Sequence, residues 1–423
     1  MKVLIIDTTE FGFAPNRLLK ALQKSGIEAK MLVRSKYTDD NSVITINSSQ
    51  ITKITNYLRF VWERFVIFLH NHFNRSDLFK VSIANTGTDI SVHSLVKEAD
   101  IIHLHWINQG FLSLKDIKSL IKTGKPIVWT MHDMWPVTGI CHHSWGCEKF
   151  TNECGGCPLL HSQKQKDLSR RIFKEKKFIA QSDIHIVTVS SWLKNMALQS
   201  ALTKNLKISV IPNVIDIRIF HPSSKTIARK NLSLPLDKKI VLMGALRIDD
   251  PVKGFVFLKE AMQIVYNKRQ DVVLVLFGSI KQQDVLNNIS FPVIQMGLIK
   301  DTSTIAQLYA AADVNIVPSY YETFGQTITE SMACGCPAVT FNNSGQTDII
   351  DHQMNGYLAK YQDSEDLAKG ILWCFDHYNI LSTEARKKVE STYSESIVAK
   401  QYIELYKRCE FELNISGITE RIS

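Results

Sequence analysis

The chain has 423 residues, long for one hydrophobic core and sufficient for two. Hydrophobic residues make up 45% and charged residues 22%, an ordinary globular balance that excludes a fibrous or disordered chain. Fifty Lys and Arg against 41 Asp and Glu give a net charge of +9, which favours anionic partners such as phosphates or acidic lipid headgroups.

The amino terminus, KVLIID, reads as a strand ending on Asp7, without the charged segment and long apolar run of a signal peptide. Elsewhere charge breaks the apolar runs well short of the roughly 20 residues that a membrane span needs. The sequence therefore predicts a cytosolic protein whose eight cysteines stay reduced or bind metal. Next comes DTTEFGFAPNRLLKAL, with Gly12 its lone glycine and Asn16 and Arg17 at the start of a helix. From Ile51 to Phe73, apolar residues fall at Ile54, Tyr57, Leu58, Val61, Trp62, Phe65, Phe68 and Leu69, helical spacing on one broad face. Phe60 and Ile67 stray to the opposite side. Such a stripe is ordinarily the buried side of a core helix. With Lys53, Arg59, Arg64 and Arg75 beside it, the alternative is a basic amphipathic helix on an anionic membrane surface. A second basic cluster, KQKDLSRRIFKEKK, follows later.

IIHLHW, PIVWTMH and IHIVTVS read as strands buried on both faces, as in a parallel sheet. They place His103, His105, His132 and Asp133 near strand ends; His103 and His105 alternate with Ile102 and Leu104 and so share one face. The segment CHHSWGCEKFTNECGGCP gathers Cys141, Cys147, Cys154 and Cys157. Its last pair is C-x2-C, and four thiolates would close a structural zinc site. The other reading is a loop of reduced cysteines.

After Pro212 the strand pattern restarts with KIVLMGAL, DVVLVLFGS, PVIQMG, VNIVPS and PAVTF. Two successive sets of strand–helix units predict an α/β protein with two doubly wound, Rossmann-like domains facing across a cleft. The domains are residues 1–205 and 206–390, with a helical segment, 391–423, packing back toward the first. In such sheets ligands bind at the carboxyl ends of the strands. VNIVPS is a strand, YYETFGQ a loop and TITESMACG a helix stopped by Gly335 and Pro337. The helix start, near Gly325 and Gln326, suits a phosphate. Glu322 and Glu330 would bracket a ligand with hydroxyls at both ends and an anionic middle. In isolation the same pair also reads as a helix-end charge and a solvated helix residue.

The stretch ADVNIVPSYYETFGQTITESMACGCPAVTFNNSGQTDIIDHQMNGYLA resembles the nucleotide-sugar site of family 4 retaining glycosyltransferases of the GT-B fold, of the bacterial polysaccharide-biosynthesis type. It carries their E-x7-E pattern and their G-x-x-D/E-I-I stretch. GALRIDDPVKGF resembles their G-R-x-x-x-K-G segment, whose two cations are usually one residue closer, and MGLIKDTSTIAQLYAAADV resembles their F-x-G…L-x-x-Y-x-x-A-D-V. The likeness is strong from Val241 to Ala359.

It implies that Glu322 faces the transferred sugar, Glu330 binds the ribose, and Arg247 and Lys253 neutralise the diphosphate beside Gly325 and Gln326. It also implies His132 as a sugar-side contact, with Asp133 orienting it or receiving the acceptor; Glu322, His132 and Lys253 form the catalytic set. The implied enzyme moves a sugar from a nucleotide-diphosphate sugar to a glycan or lipid-linked glycan, in capsule or exopolysaccharide assembly. It needs no catalytic metal and no nucleic acid, and works in the cytoplasm or at the inner face of the membrane. Two features depart from the family. The first loop lacks its paired glycines, and IPNVIDIRIF lacks the glycine of the P-N-G-x-D hinge. These departures keep an inactive nucleotide-sugar-binding scaffold as a rival reading, and a sugar-nucleotide epimerase is another.

Overall fold

The computed structural model describes residues 1–10 and 13–422; Gly12 lies outside them. By its internal contacts the chain divides into two units, Met1–Ile211 together with Val398–Ser423, and Pro212–Ile397.

Unit 1 is built on a sheet of seven strands: β1 (Lys2–Thr9), β2 (Glu28–Ser35), β3 (Val43–Thr45), β4 (Ile101–Leu104), β5 (Ile127–Met131), β6 (His185–Thr188) and β7 (Ile208–Val210). Their order is β3-β2-β1-β4-β5-β6-β7, and every pair is parallel. Val3, Leu4, Ile5 and Ile6 of β1 are all buried, as are Ile101, Ile102 and Leu104 of β4. A strand without polar alternation is stable only where both faces are covered, which parallel sheets provide. The chain runs outward from β1 to β3 and then returns to β4 on the other side. That reversal opens a crevice at the carboxyl ends of β1 and β4.

Two helices of this unit matter below, α1 (Phe13–Lys24) and α2 (Gln50–His70). Helix α2 starts from a reciprocal cap between Ser49 and Thr52. Its orientation overturns the core-helix reading. The buried residues are Asn56, Glu63, Arg64 and Ile67, whereas Ile54, Tyr57, Leu58, Val61, Trp62, Phe65 and Leu69 are exposed. The cause is a set of polar anchors on the inner side. The Glu63 carboxylate accepts the N–H groups of Ile83 (2.7 Å) and Ala84 (2.9 Å) and pairs with Arg64 at 3.3 Å. Arg64 in turn donates to the Val81 carbonyl at 2.9 Å and to that of Leu78. Breaking either buried partner would strand a charge, so these contacts fix the roll of the helix.

The last helix, Glu395–Ile422, passes from the second unit into the first. There the Tyr406 hydroxyl lies 2.7 Å from His103 Nδ1, and the Tyr402 hydroxyl 2.9 Å from Thr130 Oγ1.

Unit 2 repeats the plan with β8 (Lys239–Arg247), β9 (Val272–Ser279), β10 (Val293–Gln295), β11 (Val314–Val317), β12 (Ala338–Phe341) and β13 (Gly356–Ala359). The order is β10-β9-β8-β11-β12-β13, again parallel throughout. Val241, Leu274, Ile316 and Val339 meet Leu258, Val265, Leu367 and Ile371 of the covering helices in one core. The switch point lies between β8 and β11. No helix among the described residues is long and apolar enough to cross a membrane.

Candidate functional site

In unit 2 the loops after β8 and β11 leave the sheet side by side. They are stitched together by the Tyr320 N–H, which donates to the Val252 carbonyl at 2.9 Å. Gly254 has φ +66°, and a Cβ there would lie 1.9 Å from the Pro318 carbonyl oxygen, so only glycine allows this approach. The result brings Lys253 against Glu322, with Nζ donating to Oε1 at 2.7 Å. The Ser319 hydroxyl donates to the same oxygen at 2.9 Å. The Glu322 backbone is held too: its N–H donates to Ser344 Oγ (3.1 Å) and its carbonyl accepts from the Gly345 N–H (2.8 Å). The Glu322 charge holds the Lys253 ammonium above the usual lysine range, so it stays cationic. Side chain and backbone restraint together preorganise this pair.

Gly325, at φ +116°, caps the helix Gln326–Ala333; its carbonyl accepts from Ile328 and Thr329. The N–H groups of a first helical turn have no intrahelical acceptor and, with the helix dipole, favour an anion. Glu330 sits just over one turn along, buried, with the Tyr309 hydroxyl 3.5 Å from Oε2. Arg247 is placed differently from Lys253. It follows a register slip in β8 and pairs with Asp249 at 3.4 Å. Asp249 is itself held by the N–H groups of Lys281 and Gln282, each at 3.2 Å.

Unit 1 assembles its own polar cluster at the carboxyl ends of β1, β4 and β5. His132 and His105 share a hydrogen bond of 2.8 Å with their rings stacked, and the His103 ring lies 4.2 Å from that of His105. Burial pushes His132 down to about 4 and His103 to about 3, so both imidazoles are neutral at pH 7. The Asp133 charge opposes that shift in His132. The Asp133 carboxylate takes His142 Nδ1 at 2.6 Å, the Trp106 indole at 2.9 Å and the Trp135 N–H at 2.8 Å. Burial alone would raise its pKa; the His142 pair and these donors outweigh it and hold the group below the usual carboxylate range. Asp7, accepting from Thr9 (3.0 Å) and Trp106 (3.2 Å), is pushed by burial up to about 7.

The cysteine loop differs from the zinc expectation. Among the described residues no group of three or more His, Cys, Asp or Glu is placed to hold a metal ion, and Cys141, Cys147, Cys154 and Cys157 are free thiols. Cys154 Sγ instead accepts the Gly139 N–H at 3.3 Å. Lys176, fully buried, donates to the carbonyls of Trp135 (2.7 Å) and Thr138 (3.1 Å) with its ammonium over the Trp135 ring. Inside a basic run, Lys176 carries no sequence signal that separates it from solvated neighbours.

Comparison with known proteins agrees with both units. Residues 16–218 match the family described as Glycosyltransferase Family 4, and residues 237–377 match Glycosyl transferases group 1. An uncharacterized glycosyltransferase of Methanocaldococcus jannaschii is 28% identical over 284 residues, 63% of this chain and 70% of its own length. A D-inositol 3-phosphate glycosyltransferase of Saccharomonospora viridis is 26% identical over 64% of this chain and 61% of its own. The capsular polysaccharide biosynthesis glycosyltransferase CapM of Staphylococcus aureus is 24% identical over 52% of this chain and 60% of its own. The chain thus spans about three fifths of the length of the last two. Among solved structures, a sucrose-phosphate synthase of Thermosynechococcus elongatus superposes with a TM-score of 0.65 at 20% identity, over 96% of this chain and 98% of that one. HepE of Anabaena, in complex with UDP, gives 0.64 at 17%, over 96% and 100%.

Proposed function

This chain belongs to the family 4 glycosyltransferases, with the two Rossmann-like units of the GT-B fold, and on that premise we propose that it transfers a sugar from a nucleoside-diphosphate sugar to a hydroxyl acceptor with retention at the anomeric carbon. The observation that carries this reading is the restrained Lys253–Glu322 pair at the β8/β11 switch point, followed directly by the helix start at Gly325 and Gln326. The departing nucleoside diphosphate gains negative charge in the transition state. Lys253 and the first-turn N–H groups supply fixed positive potential for it, and Arg247 joins them by exchanging Asp249 for phosphate. Glu322 takes hydroxyls of the sugar and Glu330 those of the ribose. His132 offers the sugar a neutral imidazole. As the bond from the anomeric carbon to phosphate breaks, the acceptor oxygen bonds to that carbon on the same face and its proton passes to the phosphate.

For the acceptor we assign a growing or lipid-linked glycan of the kind used in capsule or exopolysaccharide assembly; likeness to CapM supports that choice. The UDP bound by HepE supports a nucleotide donor. Calorimetry with UDP, GDP, ADP and their sugar conjugates tests the site. Glu330→Ala should weaken the preferred nucleotide by about 1.5–3 kcal/mol, the range for a hydrogen bond to a charged group. Unchanged affinity would remove Glu330 from the ribose.

A further inference from the structure

We propose that the exposed face of α2 is a docking surface for an anionic lipid bilayer. An amphipathic helix in a soluble protein buries its apolar stripe, and α2 does the reverse. Ile51 (77% exposed), Ile54, Tyr57, Leu58, Trp62 (54%), Phe65 and Leu69 face solvent, and Phe73 and Phe79 extend the patch beyond the helix end. The helix cannot roll to hide them, because Glu63 and Arg64 are both committed on the inner side. At 21 residues α2 is about 30 Å long, enough to lie along a bilayer surface with all its exposed side chains engaged. Tyr57 and Trp62 are the residue types that settle at the headgroup level.

Charge selects the occupant. Between residues 42 and 76 the chain holds one carboxylate, Glu63, and it is fully buried. Lys53 and Arg75 are exposed at either end of the stripe. Asp77, between Phe73 and Phe79, is paired with Lys80 at 2.9 Å, so the patch offers apolar and cationic groups and no unpaired anionic one, which matches an acidic headgroup layer. A second copy of this chain packed stripe to stripe would bring cations together with no carboxylate to answer them. The surface adds a membrane partner to the lipid-linked acceptor reading, on which that connection rests, but its test is independent of donor binding.

The experiment is co-sedimentation of the full chain with vesicles of phosphatidylcholine alone and with phosphatidylglycerol added, at low and high salt. The protein should bind the anionic vesicles, more weakly at high salt. A Leu58→Ser/Trp62→Ser variant should lose at least about tenfold in vesicle affinity, since each side chain buries substantial apolar area. Binding of the preferred nucleotide should stay as in wild type, and unchanged hydrogen-exchange protection of β4 and β5 certifies that unit 1 of the variant is folded. No sedimentation with anionic vesicles, or equal sedimentation of wild type and variant, overturns the proposal. So does a lipid-free dimer that the variant abolishes, because a second copy would then own the face. Vesicle binding without nucleotide binding would sink the donor site and leave this surface standing.

Discussion

At the scale of single residues, unit 1 carries buried groups whose protonation pulls stability in opposite directions. His132 and His103 have folded values near 4 and 3 against an ordinary 6.5, so the unfolded chain binds more protons between those limits. Their contribution is complete above about pH 6.5 and is lost as pH falls toward 4. Asp7 works the other way. Its folded value near 7 lies above the ordinary 3.8, so the folded state binds the proton across that interval and gains stability as pH falls from 7. Replacing Asp7 by Asn removes only the second effect. The melting temperature of Asp7→Asn should therefore fall more steeply between pH 7 and pH 4 than that of wild type, read by calorimetric scans across the range. Parallel curves would mean that Asp7 titrates in the fold as it does in water.

At the scale of elements, the loop after β8 depends on one glycine, and a second glycine provides the control. Gly254 and Gly297 have nearly the same φ, +66° and +69°, but a Cβ on Gly297 meets nothing within 4 Å. Gly297→Ala should cost only the left-handed strain, about 1–2 kcal/mol. Gly254→Ala adds a collision with the Pro318 carbonyl, so it should cost more in urea unfolding and also weaken binding of the preferred nucleotide by displacing Lys253 from Glu322. Equal costs for the two would show that the loops have room to part. Nine of the thirteen strands among the described residues were legible in the sequence, because a strand covered on both faces is written as an unbroken apolar run; β2, β3, β7 and β13 and the strand order that sets the switch points were not. Glu322 and Glu330 were marked by the family resemblance that the E-x7-E pattern carries, since in isolation the pair also reads as a helix-end charge and a solvated helix residue. The direction of α2 was not legible. Its periodicity defines an apolar face but not which face is covered, and the clue lay in Glu63 and Arg64, a charge pair whose partners are about 15 to 20 residues away. The hydrogen bond between Asp133 and His142, nine residues further on, was not legible either.

At the scale of the whole molecule, the chain leaves unit 1 at Ile211 and supplies its last piece only from Val398 onward. Tyr402, Leu405 and Tyr406 are buried there, and the Tyr406 hydroxyl partners His103 beneath the His105–His132 pair. The end of the sequence thus completes a hydrogen-bond chain under the polar cluster of unit 1. Tyr406→Phe keeps the ring and removes the hydroxyl, leaving His103 Nδ1 buried without that partner. The expected cost is about 1–3 kcal/mol, the penalty for an unsatisfied buried polar group. Hydrogen exchange locates it: amides of β4 and β5 should lose protection, while those of β11 and β12 should keep theirs. The same variant should change the pH response of the imidazole cluster, because His103 then keeps only the Thr130 hydroxyl, 2.8 Å from its Nε2, as a side-chain partner. Loss of protection in both sheets together would show that the two units open as one cooperative body, and the C-terminal helix would then act as a tie through the entire chain and not as a local brace for unit 1.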